Sequence, residues 1–161
     1  AVGVENLVIV DTADALLVIQ RDKVKDVEKI VSRLKQLGRP EQRHHRKIYR
    51  PWGSYDSVDS AEGFQVKRIT VYPGARLSLQ SHQQRAEHWI IVSGTALVTR
   101  DKETISLGKG ESTYVAPGIR HRLQNSGTED LVVIEVQTGN YLGEDDIVRY
   151  EDDFNRALTS S

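Results

Sequence analysis

At 161 residues the chain is long enough for one well-buried domain and a short appendage, and its 38% of hydrophobic residues includes no run that could span a bilayer. Because the sequence contains no cysteine, disulfides and thiolate-bound zinc are excluded, and any metal must be held by nitrogen and oxygen donors. The formal net charge of −1 lacks the basic excess of a nucleic-acid-binding domain, so we expect no nucleic-acid partner. Because the sequence has neither a membrane-spanning run nor a start that resembles a signal peptide, we expect a cytoplasmic chain without a membrane partner.

The first 40 residues predict a β-hairpin followed by one amphipathic helix. The apolar runs Leu7–Val10 and Ala15–Ile19 flank a polar turn, and an isolated hairpin is marginally stable, so it should pack on another surface. Asp22 is placed to cap the helix, and Gly38-Arg39-Pro40 to end it. The apolar residues that recur at helical spacing are Val24, Val27, Ile30, Val31, Leu34 and Leu37. This helix also needs a partner surface.

The stretch that follows, from Pro40 to Arg50, is polar and basic. Its cations and histidines are Arg43, His44, His45, Arg46, Lys47 and Arg50. We interpret it as a solvated linker, because short charged runs are usually solvated. The alternative is an electrostatic lip for a phosphate ester. A metal site at the two histidines is disfavoured, since adjacent side chains of a strand point to opposite faces.

Beyond Tyr49 the sequence predicts short strands separated by turns. The predicted strands are Tyr55–Val58, Gln65–Tyr72, Arg76–His82, Glu87–Val92, Thr95–Arg100, Glu103–Leu107, Ser112–Val115, His121–Gln124 and Leu131–Thr138. Regular spacing of this kind favours an antiparallel sandwich or barrel. No predicted helix joins two of these strands, which disfavours a parallel α/β sheet.

One pair of these strands carries residues suited to a metal site. Alternation along Arg76–His82 places Gln80 and His82 on one face. We predict a hairpin from Pro73 to Gly94, in which the next strand turns Glu87 back towards them. An amide oxygen, an imidazole and a carboxylate leave a coordination shell incomplete. His121, which follows a Pro117-Gly118 turn, offers the missing ligand.

These two stretches resemble the paired motifs of the cupins, G-x5-H-x-H-x(3,4)-E-x6-G and G-x5-P-x-G-x2-H-x3-N. The residues in register are Gly74, His82, Glu87, Gly94, Gly110, Gly118, His121 and Asn125. Pro117 sits one place late, and Gln80 stands where most cupins have their first histidine. A set of Gln, His, Glu and His is the one associated with phosphomannose isomerases.

Five longer phrases extend the resemblance over nearly the whole chain: Tyr49–Tyr55, Phe64–Thr70, Leu77–His82, Arg85–Trp89 and Ile134–Arg149. Together they resemble the C-terminal isomerase domain of bacterial bifunctional mannose-1-phosphate guanylyltransferase/mannose-6-phosphate isomerases, the type II phosphomannose isomerases. The fold this implies is mainly β: a double-stranded β-helix (cupin, jelly-roll barrel) preceded by a short hairpin and one amphipathic helix.

The resemblance also implies a domain organisation. Residues 1–40 would be the C-terminal remnant of the nucleotidyltransferase half, residues 41–156 the cupin isomerase domain, and residues 157–161 a tail. The absence of methionine, at position 1 as elsewhere, agrees with a piece of a longer chain that includes a covalently linked nucleotidyltransferase domain. The Gly-rich nucleotide-binding start of that half is missing, so we expect no guanylyltransferase activity here. The amphipathic helix and the hairpin, which both need a surface to pack on, could dock a partner subunit and leave a homodimer open.

The implied reaction is a metal-dependent interconversion of mannose 6-phosphate and fructose 6-phosphate, supplying GDP-mannose for polysaccharide biosynthesis. The metal ligands would be Gln80, His82, Glu87 and His121. Zinc is expected from the resemblance, while Mn²⁺, Fe²⁺, Co²⁺ or Ni²⁺ remain alternatives because nitrogen and oxygen donors discriminate poorly among them. Lewis acidity at the C1 and C2 oxygens would stabilise a cis-enediolate.

A base must remove the C2 proton, and the sequence leaves four candidates open: Glu135, His88, Lys67 and Glu87. Alternation places Glu135 on the same strand face as Gln137, so both line the cavity if one does. Glu87 is better used as a metal ligand. His88, its neighbour, should point away from the cavity.

The phosphate needs cations, preferably a guanidinium. Arg85 is the first candidate, for substrate binding and for catalysis, because it precedes the ligand Glu87 and matches the family's R-x-E-H-W phrase. Arg149 matches the closing I-V-R phrase. Lys67 and Arg68 lie on opposite strand faces, so one of them could point inwards. Gln137 and Trp89 complete the predicted substrate-binding set, although packing in the core is the usual role of a tryptophan in an apolar strand.

Two other functions compete with the isomerase. One is a non-catalytic cupin that binds a sugar or nucleotide sugar and regulates the transferase half. The other is a different cupin enzyme, a dioxygenase or deoxysugar epimerase, and both rank lower. Dioxygenase sites usually carry more histidines than Gln80 leaves here, and epimerases need a histidine base of their own.

Overall fold

The computed structural model describes residues 2–12, 15–37 and 46–154. By internal contacts the chain divides into two compact units, Ala1–Ile48 and Tyr49–Ser161. Several predictions fall outside the described residues: the helix end at Gly38–Pro40, the basic residue Arg43, the His44-His45 pair and the tail at 157–161. In the described residues, no helix has the length and apolar character needed to cross a bilayer.

The first unit contains the predicted hairpin and helix. Strands β1 (Leu7–Asp11) and β2 (Leu16–Gln20) pair antiparallel. A 3-10 helix, Arg21–Asp26, then leads into α1 (Val27–Gln36). The prediction that Asp22 caps the helix is wrong. Because β2 runs directly into the 3-10 helix, Gln20 is the N-cap of that helix and Asp22 lies within it, while Asp26 is the N-cap of α1.

The second unit, together with the strand that leads into it, is built from two antiparallel sheets. Its strands are β3 (Lys47–Arg50), β4 (Gly53–Ala61), β5 (Phe64–Val71), β6 (Leu79–His82), β7 (Arg85–Ser93), β8 (Ala96–Arg100), β9 (Glu103–Leu107), β10 (Ser112–Val115), β11 (His121–Asn125), β12 (Leu131–Gly139) and β13 (Ile147–Glu151). One sheet has the order β10-β7-β12-β5-β4-β3 and the other β13-β6-β11-β8-β9. The predicted mainly β fold is confirmed.

The inward-facing side chains change from apolar to polar along the barrel. On β12, Leu131 and Val133 are buried in the hydrophobic core, and Glu135 and Gln137 follow them on the same face. On the antiparallel neighbour β7 the order is reversed, so Glu87 lies opposite Gln137. The apolar end of the interior holds the fold together, and the polar end forms a site.

The predicted hairpin from Pro73 to Gly94 is wrong, because β6 and β7 belong to different sheets. The link between them, Gln83-Gln84, crosses from one sheet to the other. Its two backbone N–H groups donate to the carboxylate of Asp146, at 3.2 and 3.1 Å, and do not close a ladder between the two strands. Glu87 therefore faces His82 across the barrel interior.

Two strands were not predicted. β3 lies in the stretch interpreted as a linker, where its charged residues hide the alternation between exposed and half-buried positions. β13 lies at the end of the described chain and pairs with β6, with Arg149 opposite Gln80.

Candidate metal centre

Three buried side chains from three strands converge at the polar end of the barrel. The possible ligand atoms of His82, Glu87 and His121 all lie within 4.8 Å of one another. β6 ends with His82 and β11 begins with His121, and these strands are neighbours in one sheet. Glu87 comes from the facing sheet. The three groups could hold a metal ion.

The protonation of the cluster suits a divalent cation. Glu87 Oε1 lies 3.0 Å from His82 Nε2, and Oε2 lies 3.5 Å from His121 Nε2. His121 Nδ1 lies 2.9 Å from the Ile119 carbonyl oxygen, so Nδ1 carries the proton and the Nε2 lone pair faces Glu87. That Nε2 has no hydrogen-bond partner among the described residues.

Electrostatics at the cluster point the same way. Burial lowers the pKa of His121, which keeps its imidazole neutral. Burial alone would raise the pKa of Glu87, but the hydrogen bond with His82 and the positive charge of Arg85 help to lower this pKa to about 2. Neutral imidazoles and an ionised carboxylate are the forms that bind Zn²⁺ and similar ions. The residues therefore fit the metal that the sequence predicts.

Gln80 adjoins the cluster. Its Nε2 lies 3.4 Å from His82 Nε2, and its Oε1 accepts a hydrogen bond from Ser78 Oγ at 2.8 Å. A half-turn of the amide would direct the oxygen towards the cluster, as a ligand requires.

The cluster opens into a cavity of about 310 Å³, near the lower end of the range for small-molecule sites. Its lining residues are Arg50, Trp52, Tyr55, Lys67, Ile69, Leu77, Ser78, Gln80, His82, Arg85, Glu87, Glu135, Gln137, Glu144, Ile147 and Arg149.

Glu135 forms a second buried carboxyl group beside Glu87. Trp89 Nε1 donates to Glu87 Oε2 at 3.1 Å and to Glu135 Oε1 at 3.2 Å. Gln137 Nε2 donates to Glu87 Oε1 at 3.0 Å and to Glu135 Oε2 at 2.9 Å. Burial, and then the charge of Glu87, raise the pKa of Glu135 to about 8. Such a group exchanges a proton near neutral pH.

Arg85 is buried and binds protein groups. Its Nη1 donates to Gln137 Oε1 at 3.2 Å and to the Leu142 carbonyl at 3.3 Å, and its Nη2 donates to the Gly143 carbonyl at 2.9 Å. The Arg85 side chain therefore links Gln137 to the segment that precedes β13. Although it lines the cavity, three of its donor contacts already go to the protein.

The remaining cavity cations come from three strands. Lys67 of β5 and Arg149 of β13 line the cavity, as does Arg50 of β3. Arg68 points the other way and pairs with Asp56 at 2.8 Å.

Three predicted site residues lie outside the cavity lining: His121, which belongs to the metal cluster, His88 and Trp89. His88 is exposed on the outer face of β7, away from the cavity as strand alternation predicts, and its Nε2 lies 3.4 Å from Ser112 Oγ. This position argues against His88 as the catalytic base. Trp89 is buried in the core and touches the carboxylates through its indole N–H, which corrects its prediction as a cavity-lining, substrate-binding residue. Trp52 lines the cavity in its place.

The sequence analysis gives no role in the site to Tyr55 or Glu144. It interprets the stretch that contains Arg50 as a solvated linker, with an electrostatic lip for a phosphate ester as the alternative. Tyr55 Oη donates to Glu144 Oε1 at 3.1 Å. The alternation of Ile147–Glu151 could have indicated β13, and with it the proximity of Glu144. Glu144 itself carries no sequence signal, because its place depends on how the chain returns to the barrel.

Comparison with known proteins identifies the family of this chain. The model described as mannose-6-phosphate isomerase C-terminal matches residues 37–152, and that of the MannoseP isomerase/GMP-like beta-helix domain matches residues 1–34. The chain belongs to the mannose-6-phosphate isomerase C-terminal family. The resemblance found in the sequence is confirmed at this level.

Named relatives of this mannose-6-phosphate isomerase C-terminal chain come from several bacteria. It is 59% identical to the xanthan biosynthesis protein XanB of Xanthomonas campestris pv. campestris, covering 96% of this chain and 33% of XanB. It is 53% identical to the mannose-1-phosphate guanylyltransferase ManC of Salmonella typhimurium, covering 96% of this chain and 32% of ManC. The chain thus spans about a third of the length of these relatives.

A solved structure supports the fold of the family member. A Klebsiella pneumoniae protein with a double-stranded beta-helix domain superposes with a TM-score of 0.57 at 20% identity, covering 65% of this chain and 90% of the other. At this identity the likeness concerns the fold alone, and it agrees with the predicted double-stranded β-helix.

Proposed function

We propose that this chain is a metal-dependent mannose-6-phosphate isomerase, which interconverts mannose 6-phosphate and fructose 6-phosphate. The observation that carries the proposal is the convergence of His82, Glu87 and His121 beside a second buried carboxyl group, Glu135, in a chain of this family. An aldose–ketose isomerisation needs both parts, an electrophile at the C1 and C2 oxygens and a base for the C2 proton.

The proposed metal ligands are His82, Glu87 and His121, with Gln80 as the fourth after rotation of its amide. Zinc is the proposed ion, because two imidazoles, one carboxylate and one amide are donors it accepts. When bound, it supplies Lewis acidity for the hydroxyl and carbonyl oxygens of C1 and C2.

Glu135 is the proposed base among the four candidates. It lines the cavity, and Trp89 and Gln137 hold its two oxygens in place. Its carboxylate would take the proton from C2 and return it to C1, while the proton of the C2 hydroxyl passes to the C1 oxygen. The other candidates are weaker, since Glu87 serves the metal and His88 lies outside the cavity. Lys67, directly across the sheet from Glu135, would stabilise the ionised form.

The wider assignment rests on the relatives. The match of residues 1–34 to a beta-helix domain supports the proposal that the first 40 residues close a preceding nucleotidyltransferase half in a longer protein. The names of XanB and ManC support a role in polysaccharide biosynthesis through GDP-mannose.

The proposal is tested by measuring metal content by mass spectrometry and mannose 6-phosphate turnover in a coupled assay, before and after chelation. We expect stoichiometric metal and turnover that chelation abolishes and metal restores. His121→Ala should lose the metal and at least about a hundredfold in kcat/KM, because both Lewis acidity and substrate orientation depend on the ion.

His88→Ala is the matched control, because it removes an imidazole from the outer face next to Glu87. It should keep both metal and turnover. Full activity in a metal-free preparation would overturn the proposal. Stoichiometric metal without turnover would also count against it and would favour the non-catalytic, regulatory cupin.

A further inference from the structure

The inner face of the six-stranded sheet carries a charge gradient. Read across neighbouring strands, its inward side chains are Glu87 on β7, Glu135 on β12, Lys67 on β5, Tyr55 on β4 and Arg50 on β3. Adjacent strands lie ~4.8 Å apart, so Lys67 is on a strand ~10 Å from that of Glu87, and Arg50 is farther along the same direction. Along this sheet the inward side chains therefore change from acidic beside the metal cluster to basic on the strands farther from it.

Tyr55 organises the basic end. The Lys67 ammonium lies 5.2 Å from the centroid of its ring, and the Arg50 guanidinium lies 5.6 Å from the same centroid. Both separations are within the range of cation–π contacts, which the negative face of the ring favours. Both cations are thus within cation–π range of the same tyrosine ring.

Neither cation is neutralised by a carboxylate within hydrogen-bond distance in the described part of the chain. Arg50 Nη1 makes a long contact of 3.4 Å with the Tyr49 carbonyl. Lys67 forms no ion pair among the described residues. Other surface cations of the same unit form short ion pairs, such as that of Arg76 with Asp153 at 2.7 Å. Donors remain available at Arg50 and Lys67 for a ligand.

The other two cavity cations are less suited to the far end of a substrate. Arg85 is buried, and its Nη atoms already donate to Gln137 and to the carbonyls of Leu142 and Gly143. Arg149 lies on the opposite sheet, where it is paired in register with Gln80 beside the metal cluster. A hexose 6-phosphate carries its phosphate at the end of the sugar remote from C1 and C2.

We propose that Arg50 and Lys67, gathered over the ring of Tyr55, form the anion subsite that binds the phosphate of a phosphorylated sugar. The assignment of that phosphate to a hexose 6-phosphate rests on the proposed isomerase function. The subsite itself rests on the geometry of the cations. Arg50 donates through its planar fork and Lys67 as a compact charge, a combination that suits the oxygens of a phosphate monoester.

Glu144 carries a negative charge at the anion subsite, so its effect on phosphate affinity should be opposite to that of Arg50. This exposed carboxylate accepts the hydrogen bond of Tyr55 Oη at 3.1 Å and lines the same end of the cavity. A carboxylate there repels a phosphate and competes for the cations. Removing its charge should therefore strengthen anion binding, whereas removing the charge of Arg50 should weaken it.

The test compares Arg50→Gln, Glu144→Gln and Lys47→Gln in the metal-loaded 161-residue chain. Two quantities are measured: the dissociation constant of inorganic phosphate by calorimetry, and KM and kcat for mannose 6-phosphate. Lys47→Gln is the matched control, because it removes one positive charge from an exposed position of the same strand, β3. The unfolding temperature of each variant shows whether it is folded.

For Arg50→Gln we expect phosphate affinity to fall and KM to rise by roughly tenfold to hundredfold, with kcat changed much less, because charge-assisted hydrogen bonds to a remote group contribute mainly uniform binding. Glu144→Gln should bind phosphate about two- to fivefold more tightly, since a screened, exposed charge acts weakly. Lys47→Gln should match the unchanged chain in both quantities.

The outcomes separate the two proposals. If phosphate binding depends on Arg50 and Glu144 with these signs but no isomerase turnover is found, the subsite stands and the proposed function fails. If turnover is present and Arg50→Gln, folded, alters neither KM nor phosphate affinity, the subsite is overturned and the function stands. The subsite would also be overturned if Lys47→Gln weakened phosphate binding as much as Arg50→Gln does, because the loss would then follow from net charge alone.

Discussion

Glu135 and Glu87 are two buried carboxyl groups that share the same two donors, Trp89 and Gln137. Like charges at this separation cannot both ionise cheaply without a cation, so one group keeps its charge and the other takes up a proton. The histidines stabilise the charge of Glu87, and the proton falls to Glu135. A bound cation would lower that cost, which links the metal site to the proposed base.

This pairing predicts a pH dependence of stability in the chelated protein. The pKa of Glu135 is raised from its ordinary value of 4.5 to about 8, so its stabilising contribution is complete below pH 4.5 and is lost as the pH rises towards 8. The lowered pKa of His121 acts in the opposite direction, but only below its ordinary value of 6.5.

The effect of Glu135 on stability can therefore be measured separately from that of His121 between pH 6.5 and 8. There the free energy of unfolding should fall with rising pH in the chelated chain, by at least about 1 kcal/mol, and the slope should be smaller in Glu135→Gln. Urea unfolding at several pH values measures it. Identical slopes in the two proteins would mean that Glu135 is already ionised when the metal is absent.

A second prediction concerns Arg85, which the sequence analysis placed first for the phosphate. A lysine has one ammonium group and cannot reach Gln137 and the carbonyls of Leu142 and Gly143 together. Arg85→Lys should lower the free energy of unfolding by about 1–3 kcal/mol and reduce kcat, while the metal content is unchanged. Thermal unfolding and steady-state kinetics measure both effects. A rise in KM alone, with unchanged stability, would support the original role in phosphate binding.

At the scale of elements, β6 and β7 build the site because they are not a hairpin. A direct hairpin would place both strands in one sheet, and its ligands would all come from that surface. Crossing between sheets at Gln83-Gln84 sets His82 and Glu87 face to face across the interior. Asp146 anchors this crossing through the two backbone N–H groups, so the segment before β13 also supports the metal cluster.

The start of β4 depends on one glycine, which yields a prediction at this scale. Gly53 has φ +148°, and a Cβ added there would overlap the Thr70 carbonyl of the neighbouring strand. Gly53→Ala should therefore lower the free energy of unfolding by about 3 kcal/mol or more. Chemical denaturation provides the measurement.

Gly74→Ala is the control for the conformational part of that cost. Gly74 has φ +71° with no atom within 4 Å of the added Cβ, so only left-handed strain of roughly 1–2 kcal/mol is expected. If Gly53→Ala and Gly74→Ala lowered the free energy of unfolding equally, the close contact between β4 and β5 would not be what excludes a side chain at position 53.

At the scale of the whole molecule, the site lies entirely in the second unit. The residues that line the cavity fall between Arg50 and Arg149, whereas α1 in the first unit has no buried residue. A chain that begins at Arg46 should therefore keep stoichiometric metal and a kcat/KM within about threefold of the full chain. Mass spectrometry and the coupled assay check this. A large loss would show that residues before Arg46 complete the site or stabilise its fold. A homodimer remains a prediction.

The sequence alone was sufficient for whatever depends on local periodicity and residue type. Alternation predicted most of the strands, turn residues separated them, and the absence of cysteine restricted the metal ligands to nitrogen and oxygen donors. The spacing of Gln80, His82, Glu87 and His121 was enough to nominate the metal cluster, because these residues lie within two short motifs whose pattern is local.

The tertiary structure decided which side chains meet across the barrel. Sequence alternation fixes the face of a strand, as it does for His88, but not the sheet that the strand joins. The hairpin is therefore predicted wrongly, and the contacts of Arg85 and Trp89 could not be assigned. Arg50, Tyr55, Lys67 and Glu144 come from four segments that are adjacent only after the sheet has closed and β13 has returned to it. Their proximity is a long-range property, set by the burial of the shared core, and no local pattern records it.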